Sequence, residues 1–309
     1  MRHISTNVYK SIIMKKILIL SLCAVLCAAF TSCEKENPGV YNPKKKIQKL
    51  YCEYGGQKYL WQDWNWNGKL LTSVNYYTSE GVVMSTENYS YDKNNRIVRI
   101  QEGNENLDFS YENGKIKAAN YYWANTLEES YNFIYENNTL SKIECVSYYS
   151  YVDDKHQKRL NPLAVLMPQG GDVLTKAVKK LNTQQKGEEK AILELTWEGK
   201  NISHIHGYTV DDEDGETMDA YFTYDDKINP FKGWSPMWFD EVIGMWDDSY
   251  CNTFNYGNMQ TSSYIYKEGG IEYDRYNMVF SYEYEGNYPV KMTVSEEGEN
   301  DYEFLLFEY

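Results

Sequence analysis

Proline and glycine are scarce in this chain, 7 and 20 in 309 residues, and no compositionally biased tract occurs, which argues against an extended disordered protein. Catalytic signatures are missing as well: there is no G-x-S-x-G, H-E-x-x-H, P-loop or dinucleotide-binding glycine pattern. Nothing calls for a cofactor. Positive charge is in deficit, with a net charge of −14, and the four cations among the first 32 residues leave the remainder more acidic still. So negative a surface repels phosphate backbones and anionic headgroups, so nucleic acid is excluded as an expected partner. The longest apolar run, ILILSLCAVLCAAF after Lys16, is too short for a membrane span of about 20 residues.

That run has a positive start at Lys15 and Lys16 and small residues at its end, the layout of a secretory signal over residues 1–32, with Met14 the better start. Thr31, Ser32 and Cys33 resemble a bacterial lipobox, with Phe30 where Leu is usual. Cys33 would then carry the acyl chains and hold the protein on a membrane, since each buried CH₂ contributes about 0.8 kcal/mol. Glu34 to Asn37 resemble the acidic export tags of surface lipoproteins in Bacteroidetes-type bacteria, and a solvated spacer is the alternative. Residues 33–46 read as a polar tether. After Cys23, Cys27 and Cys33, three cysteines remain, Cys52, Cys145 and Cys251, which permit at most one disulfide.

What the chain does have is tyrosine: 31 of them, and 16% aromatics overall. Aromatic side chains suit a pleated, half-buried surface. They are distributed in a repeat, cleanest at Phe109 to Ala119, FSYENGKIKAA, in which aromatics enter, an acid and Asn-Gly turn the chain, and a base followed by Ile starts the return. Variants occur at Trp66–Leu70, Tyr91–Ile97, Tyr135–Leu140, Trp197–Ile202 and Tyr284–Val290. Asn-Gly and Asn-Asn favour two-residue type I′ loops, because both central positions need positive φ. The spacing predicts an all-β domain over 47–309, an antiparallel meander of β-hairpins forming a curved sheet or barrel.

Two regions interrupt the rhythm. Residues 155–190 predict a mobile insertion with one short helix over Val173–Leu181. Asn229 to Trp246 contains Pro230 and Pro236 among aromatics, which predicts a plug or short helix packed over the sheet. Lys, Glu and Asn on both faces of the strands speak against a lipid-facing barrel, despite the aromatic C-terminus.

The stretch Tyr224-Asp225-Asp226-Lys227-Ile228-Asn229-Pro230-Phe231, set among these hairpins behind a lipobox, resembles a family of uncharacterised Bacteroidetes outer-membrane lipoproteins, a domain of unknown function with a porin-like fold. The hairpins are also similar to the YD repeats of RHS-type shell proteins. The resemblance spans 47–309 and implies an antiparallel sheet curling toward a barrel, with no catalytic residues to transfer.

Among candidate sites, His204 and His206 lie two apart on a strand and so share a face, with Asp211 to Asp214 close behind; two imidazoles and a carboxylate are a Zn²⁺-type set. The same acids also read as a solvated hairpin tip. Trp61, Trp64, Trp66, Trp234 and Trp238 are the candidates for sugar-stacking platforms, against the alternative that they fill a curved sheet. The sequence thus reads as a non-catalytic, lipid-anchored module at the outer membrane, on its surface or periplasmic face. Its partner would be a glycan or another cell-envelope protein, with a hydrolase as the last choice.

Overall fold

The computed structural model describes residues 40–54, 56–148, 188–210, 215–234, 254–298 and 303–309. Sixteen strands run in chain order around a closed antiparallel barrel. They are β1 (Lys49–Tyr54), β2 (Gln57–Asn67), β3 (Leu70–Tyr77), β4 (Val83–Tyr91), β5 (Ile97–Glu102), β6 (Glu105–Glu112), β7 (Lys115–Trp123) and β8 (Thr126–Glu136). The second half comprises β9 (Thr139–Tyr148), β10 (Glu188–Glu198), β11 (Asn201–Thr209), β12 (Thr217–Tyr224), β13 (Met259–Glu268), β14 (Ile271–Glu285), β15 (Tyr288–Glu296) and β16 (Glu303–Glu308). β1 pairs with β16 through Lys49↔Glu308 to Glu53↔Phe304, so the predicted meander has no free edge. Among the described residues there is no helix long and apolar enough to cross a membrane. The signal, Cys33 and most of 155–190 lie outside the described residues, although Glu188 to Lys190 already belong to β10.

All copies of the aromatic repeat turn at the same end of the barrel, here termed the turn end. Asn113-Gly114 and Asn137-Asn138 carry positive φ at both positions, as type I′ loops require. The first, fifth and sixth copies differ from the expectation: the loops are Gly68-Lys69, Gly199-Lys200 and Gly286-Asn287, where the glycine alone has positive φ, the mark of type II′. In each hairpin the register slips just before the last aromatic, between Asn65/Trp66, Ser90/Tyr91, Ser110/Tyr111, Ile134/Tyr135, Thr196/Trp197 and Glu283/Tyr284. This is a bulge in the returning strand. Its extra residue is Thr72, Ser141 or Ser203 in three copies, and each hydroxyl donates to the carbonyl of the residue before the aromatic, Asn65, Ile134 or Thr196. The aromatic itself reaches across to a carbonyl near the start of the preceding strand. Tyr91 Oη bonds Leu71 O at 2.6 Å, Tyr111 Oη bonds Ile97 O at 2.6 Å and Trp197 Nε1 bonds Leu140 O at 2.6 Å.

Alternation separates two faces. The inward rows include Tyr89↔Ile100↔Leu107↔Tyr121 and Ala119↔Tyr131↔Cys145↔Ala191, all buried. The outward rows read Asn65↔Ser73↔Asn88↔Gln101↔Asn106 and Arg99↔Asp108↔Asn120↔Ser130. Such rows suit water, whereas a lipid-facing barrel carries an outward apolar band.

A sixteen-stranded barrel is too wide for its strand side chains alone to fill. At the turn end, segments between strands enter it. Tyr41 is fully buried, with rings of Trp64 and Trp66 at 6.1 and 5.6 Å and its hydroxyl on Pro230 O at 2.9 Å. The expected tether therefore gives way to packed structure well before Lys46, because Tyr41 and Ile47 are core residues. From the other side come Phe231 and Trp234, the latter 4.5 Å from Trp64.

Candidate functional site

The entering segment is held by its own polar residues. Asp225 Oδ1 accepts from the amides of Lys227 and Asn258 at 3.0 and 2.9 Å, and Asn229 Oδ1 accepts from Phe231 N at 2.9 Å. Asn229 Nδ2 donates to Asn255 O, and Asn255 Oδ1 receives Ile202 N at 2.7 Å. Gly257 is obligatory: a Cβ there would stand 2.2 Å from Asp225 O. The Asp-Asp-Lys-Ile-Asn-Pro-Phe stretch is thus a structural lock. Beside it lies a cavity of about 10 Å³ lined by Tyr224, Phe231, Asn258, Tyr282 and Phe307, room for about one water.

Trp61, Trp64 and Trp234 are 5%, 2% and 1% exposed, and Trp66 is half-buried against Tyr41. None of the first three presents a ring face to solvent for a sugar: Trp61 and Trp64 are buried on β2, and Trp234 is buried on the segment that enters the barrel after β12. Trp238 lies outside the described residues. Cys52 and Cys145 are buried on β1 and β9, and Cys251 lies outside the described residues.

His204 and His206 do share the outer face of β11. The carboxylate that meets them is Asp219 of β12, opposite His206 in register, while Asp211 to Asp214 lie outside the described residues. His204 Nε2 and His206 Nδ1 both approach Asp219 Oδ1, at 3.0 and 2.9 Å, and Lys267 Nζ of β13 donates to Oδ2 at 2.8 Å. His204 also stacks on Tyr221 at 4.5 Å. Burial opposes ionisation of Asp219, but the bonds from Lys267, His206 and His204 outweigh it and bring its pKa down to about 2. Two imidazoles aimed at one oxygen, with an ammonium on the other, form a hydrogen-bonded ion cluster; among the described residues no group of His, Cys, Asp or Glu is disposed to hold a metal.

The inner wall carries a second polar cluster that the sequence reading did not single out. Glu87 accepts from Tyr76 Oη at 3.0 Å and from Tyr89 Oη, whose oxygen receives Trp234 Nε1 at 2.8 Å. Glu129 accepts from Tyr131 Oη. Burial pushes the Tyr76, Tyr89 and Tyr131 hydroxyls well above their ordinary pKa, with the adjacent carboxylates adding to it. The signal was present: Glu87/Tyr89 and Glu129/Tyr131 are two apart, so in a strand each pair shares a face. Glu102 and Glu105, at the end opposite the turns, are buried as well.

No protein-family model matches the chain, and no curated protein matches it. Among solved structures it is similar to a porin-like protein from Bacteroides vulgatus, with 10% sequence identity and a TM-score of 0.46, covering 86% of this chain and 99% of that one.

Proposed function

We propose that this chain is a lipid-anchored extracytoplasmic barrel, a non-catalytic interaction or accessory module that stands on the outer membrane through Cys33 instead of spanning it. The observation that carries the reading is the polarity of the outer wall: the outward rows from Asn65 to Asn106 and from Arg99 to Ser130 are built of Asn, Gln, Ser and charged residues, while the inner wall is mainly apolar around the buried Glu87 and Glu129. A domain with such an exterior needs a separate device to stay at a membrane, and the lipobox-like Thr31-Ser32-Cys33 provides one. Many of the aromatic and acidic residues are taken up by packing, turn chemistry and internal hydrogen bonds. Its partner in this reading is another cell-envelope component met at the barrel surface.

Metabolic labelling with palmitate tests the anchor. The expected result is label in the wild-type protein and none in Cys33→Ala, with the variant recovered in the soluble fraction after a high-salt wash. Label retained by the variant, or wild-type protein free of label, overturns the reading.

A further inference from the structure

Closure leaves no edge strand, but it does not pair every residue of every strand. Among the described strands β14 is the longest, at 15 residues, and its two neighbours differ in reach. On one side β13 accompanies it as far as Glu268↔Ile271, around the Gly269-Gly270 turn. On the other, the β15 register begins only at Met278↔Glu296, and a bond from Glu297 N to Asn277 O at 2.8 Å closes it. Ile271 to Tyr276 therefore run on past β15, with one side of their backbone paired to no strand among the described residues. Asn277 turns its carbonyl toward β15, so by alternation Arg275 turns its own backbone groups the same way. There the Arg275 amide donates to the Asp274 carboxylate at 2.8 Å, a side chain standing where a strand carbonyl would come. The stretch is also apolar where it is exposed: of the eight large hydrophobic residues exposed among the described ones, four are on β14, with Ile271 at 74% and Tyr273 at 52%. An unpaired edge carrying such residues is a pairing site. Its charges are of both signs. Arg275 Nε and Nη2 donate to Glu272 Oε1 and Oε2, each at 2.9 Å, and these two side chains share a face despite their odd separation because the register slips by one residue opposite Tyr266/Lys267.

We propose that this edge of β14 is where a second copy of the chain docks, strand against strand, about a two-fold axis. Antiparallel overlap of the six unpaired residues with their own copy is complete only when the axis passes between Tyr273 and Asp274. Ile271 then lies opposite Tyr276 of the other copy and Glu272 opposite its Arg275, and symmetry makes each pairing occur twice. One pair is apolar and the other of opposite charge, so both favour the contact. Moving the axis onto Tyr273 sets Glu272 against Asp274, moving it onto Asp274 sets that residue against itself, and any other shift gives up part of the overlap. A bulge and three charges in six residues repel an arbitrary strand, whereas a second copy meets those charges in matching order. Because so few residues take part, the contact is smaller than a standard interface, and the dimer is weak and concentration-dependent. The inference goes beyond the proposed function and rests on β14 alone, with no part played by the acyl anchor.

Sedimentation equilibrium on the full chain bearing Cys33→Ala, which cannot associate through an acyl group, is expected to show a reversible equilibrium between monomer and dimer. Added to it, Glu272→Arg places arginine opposite arginine and Arg275→Glu places glutamate opposite glutamate. Each variant alone should raise the dissociation constant about tenfold or more. Mixed in equal amounts, the two should form a heterodimer, since every facing pair is then of opposite charge. Loss of the ion pair within one strand cannot produce that rescue. Both positions are exposed, where such a pair adds little to stability, so each variant should melt as sharply as its parent. Lys69→Glu, exposed at the turn end, should leave association unchanged. A chain that is monomeric at every concentration, variants that still dimerise alone, a folded mixture that stays monomeric, or an equal loss with Lys69→Glu overturns the proposal. The concentration series of the chain without charge reversals stands even if a variant misfolds, and the palmitate result is independent of all of these outcomes.

Discussion

Asp219 shows how one side chain can be held ionised on a protein surface. It is 11% exposed at the side chain, and two imidazoles and an ammonium surround it. Its folded pKa of about 2 lies below the ordinary carboxylate value of about 3.9. A depressed pKa contributes stability that is present above the unfolded value and is lost as pH falls through the folded one. Urea unfolding should therefore show Asp219→Asn less stable than wild type at pH 5, with the gap closing between about pH 4 and pH 2; a gap that persists at pH 2 would remove the ion cluster as its cause. At this scale the sequence was half legible. The i, i+2 spacing correctly placed His204 and His206 on one face, but their carboxylate comes from the neighbouring strand, and only the register of β11 on β12 brings it there.

The hairpin is the element that organises the molecule, and nearly every position in it has a job. The acid and Asn-Gly shape the turn, the bulge redirects the aromatic, and the aromatic closes a hydrogen bond onto the previous strand. Tyr111→Phe removes the 2.6 Å bond to Ile97 O while keeping the ring, and should cost about 1 kcal/mol, read as a shift in the urea midpoint with unchanged slope. A larger loss would mean that the ring's packing had changed too. The turns were readable because positive φ restricts which residues fit. The bulges were not, since a one-residue slip is a property of two strands together and leaves no mark on either alone. Thr72, Ser141 and Ser203 illustrate this: as small polar strand residues they look ordinary, and their roles appear only once the slipped register leaves a carbonyl beside each.

For the whole molecule, closure and filling are the decisive facts. β16 pairs with β15 on one side and β1 on the other, so a chain lacking 303–309 would expose two strand edges and the inner wall. Such a truncation should lose the cooperative thermal transition of the intact chain and aggregate in light scattering; a monomeric truncation with a sharp transition would show that the seam is dispensable. The repeat and its aromatic content determined, from sequence alone, an antiparallel meander with aromatics on one face, because turn chemistry and period-two alternation are local properties. Tertiary structure decided the rest. Whether sixteen strands meet end to start depends on accumulated twist and stagger, which no single hairpin specifies. The buried fate of Trp61, Trp64 and Trp234 depends on a lumen that exists only after closure.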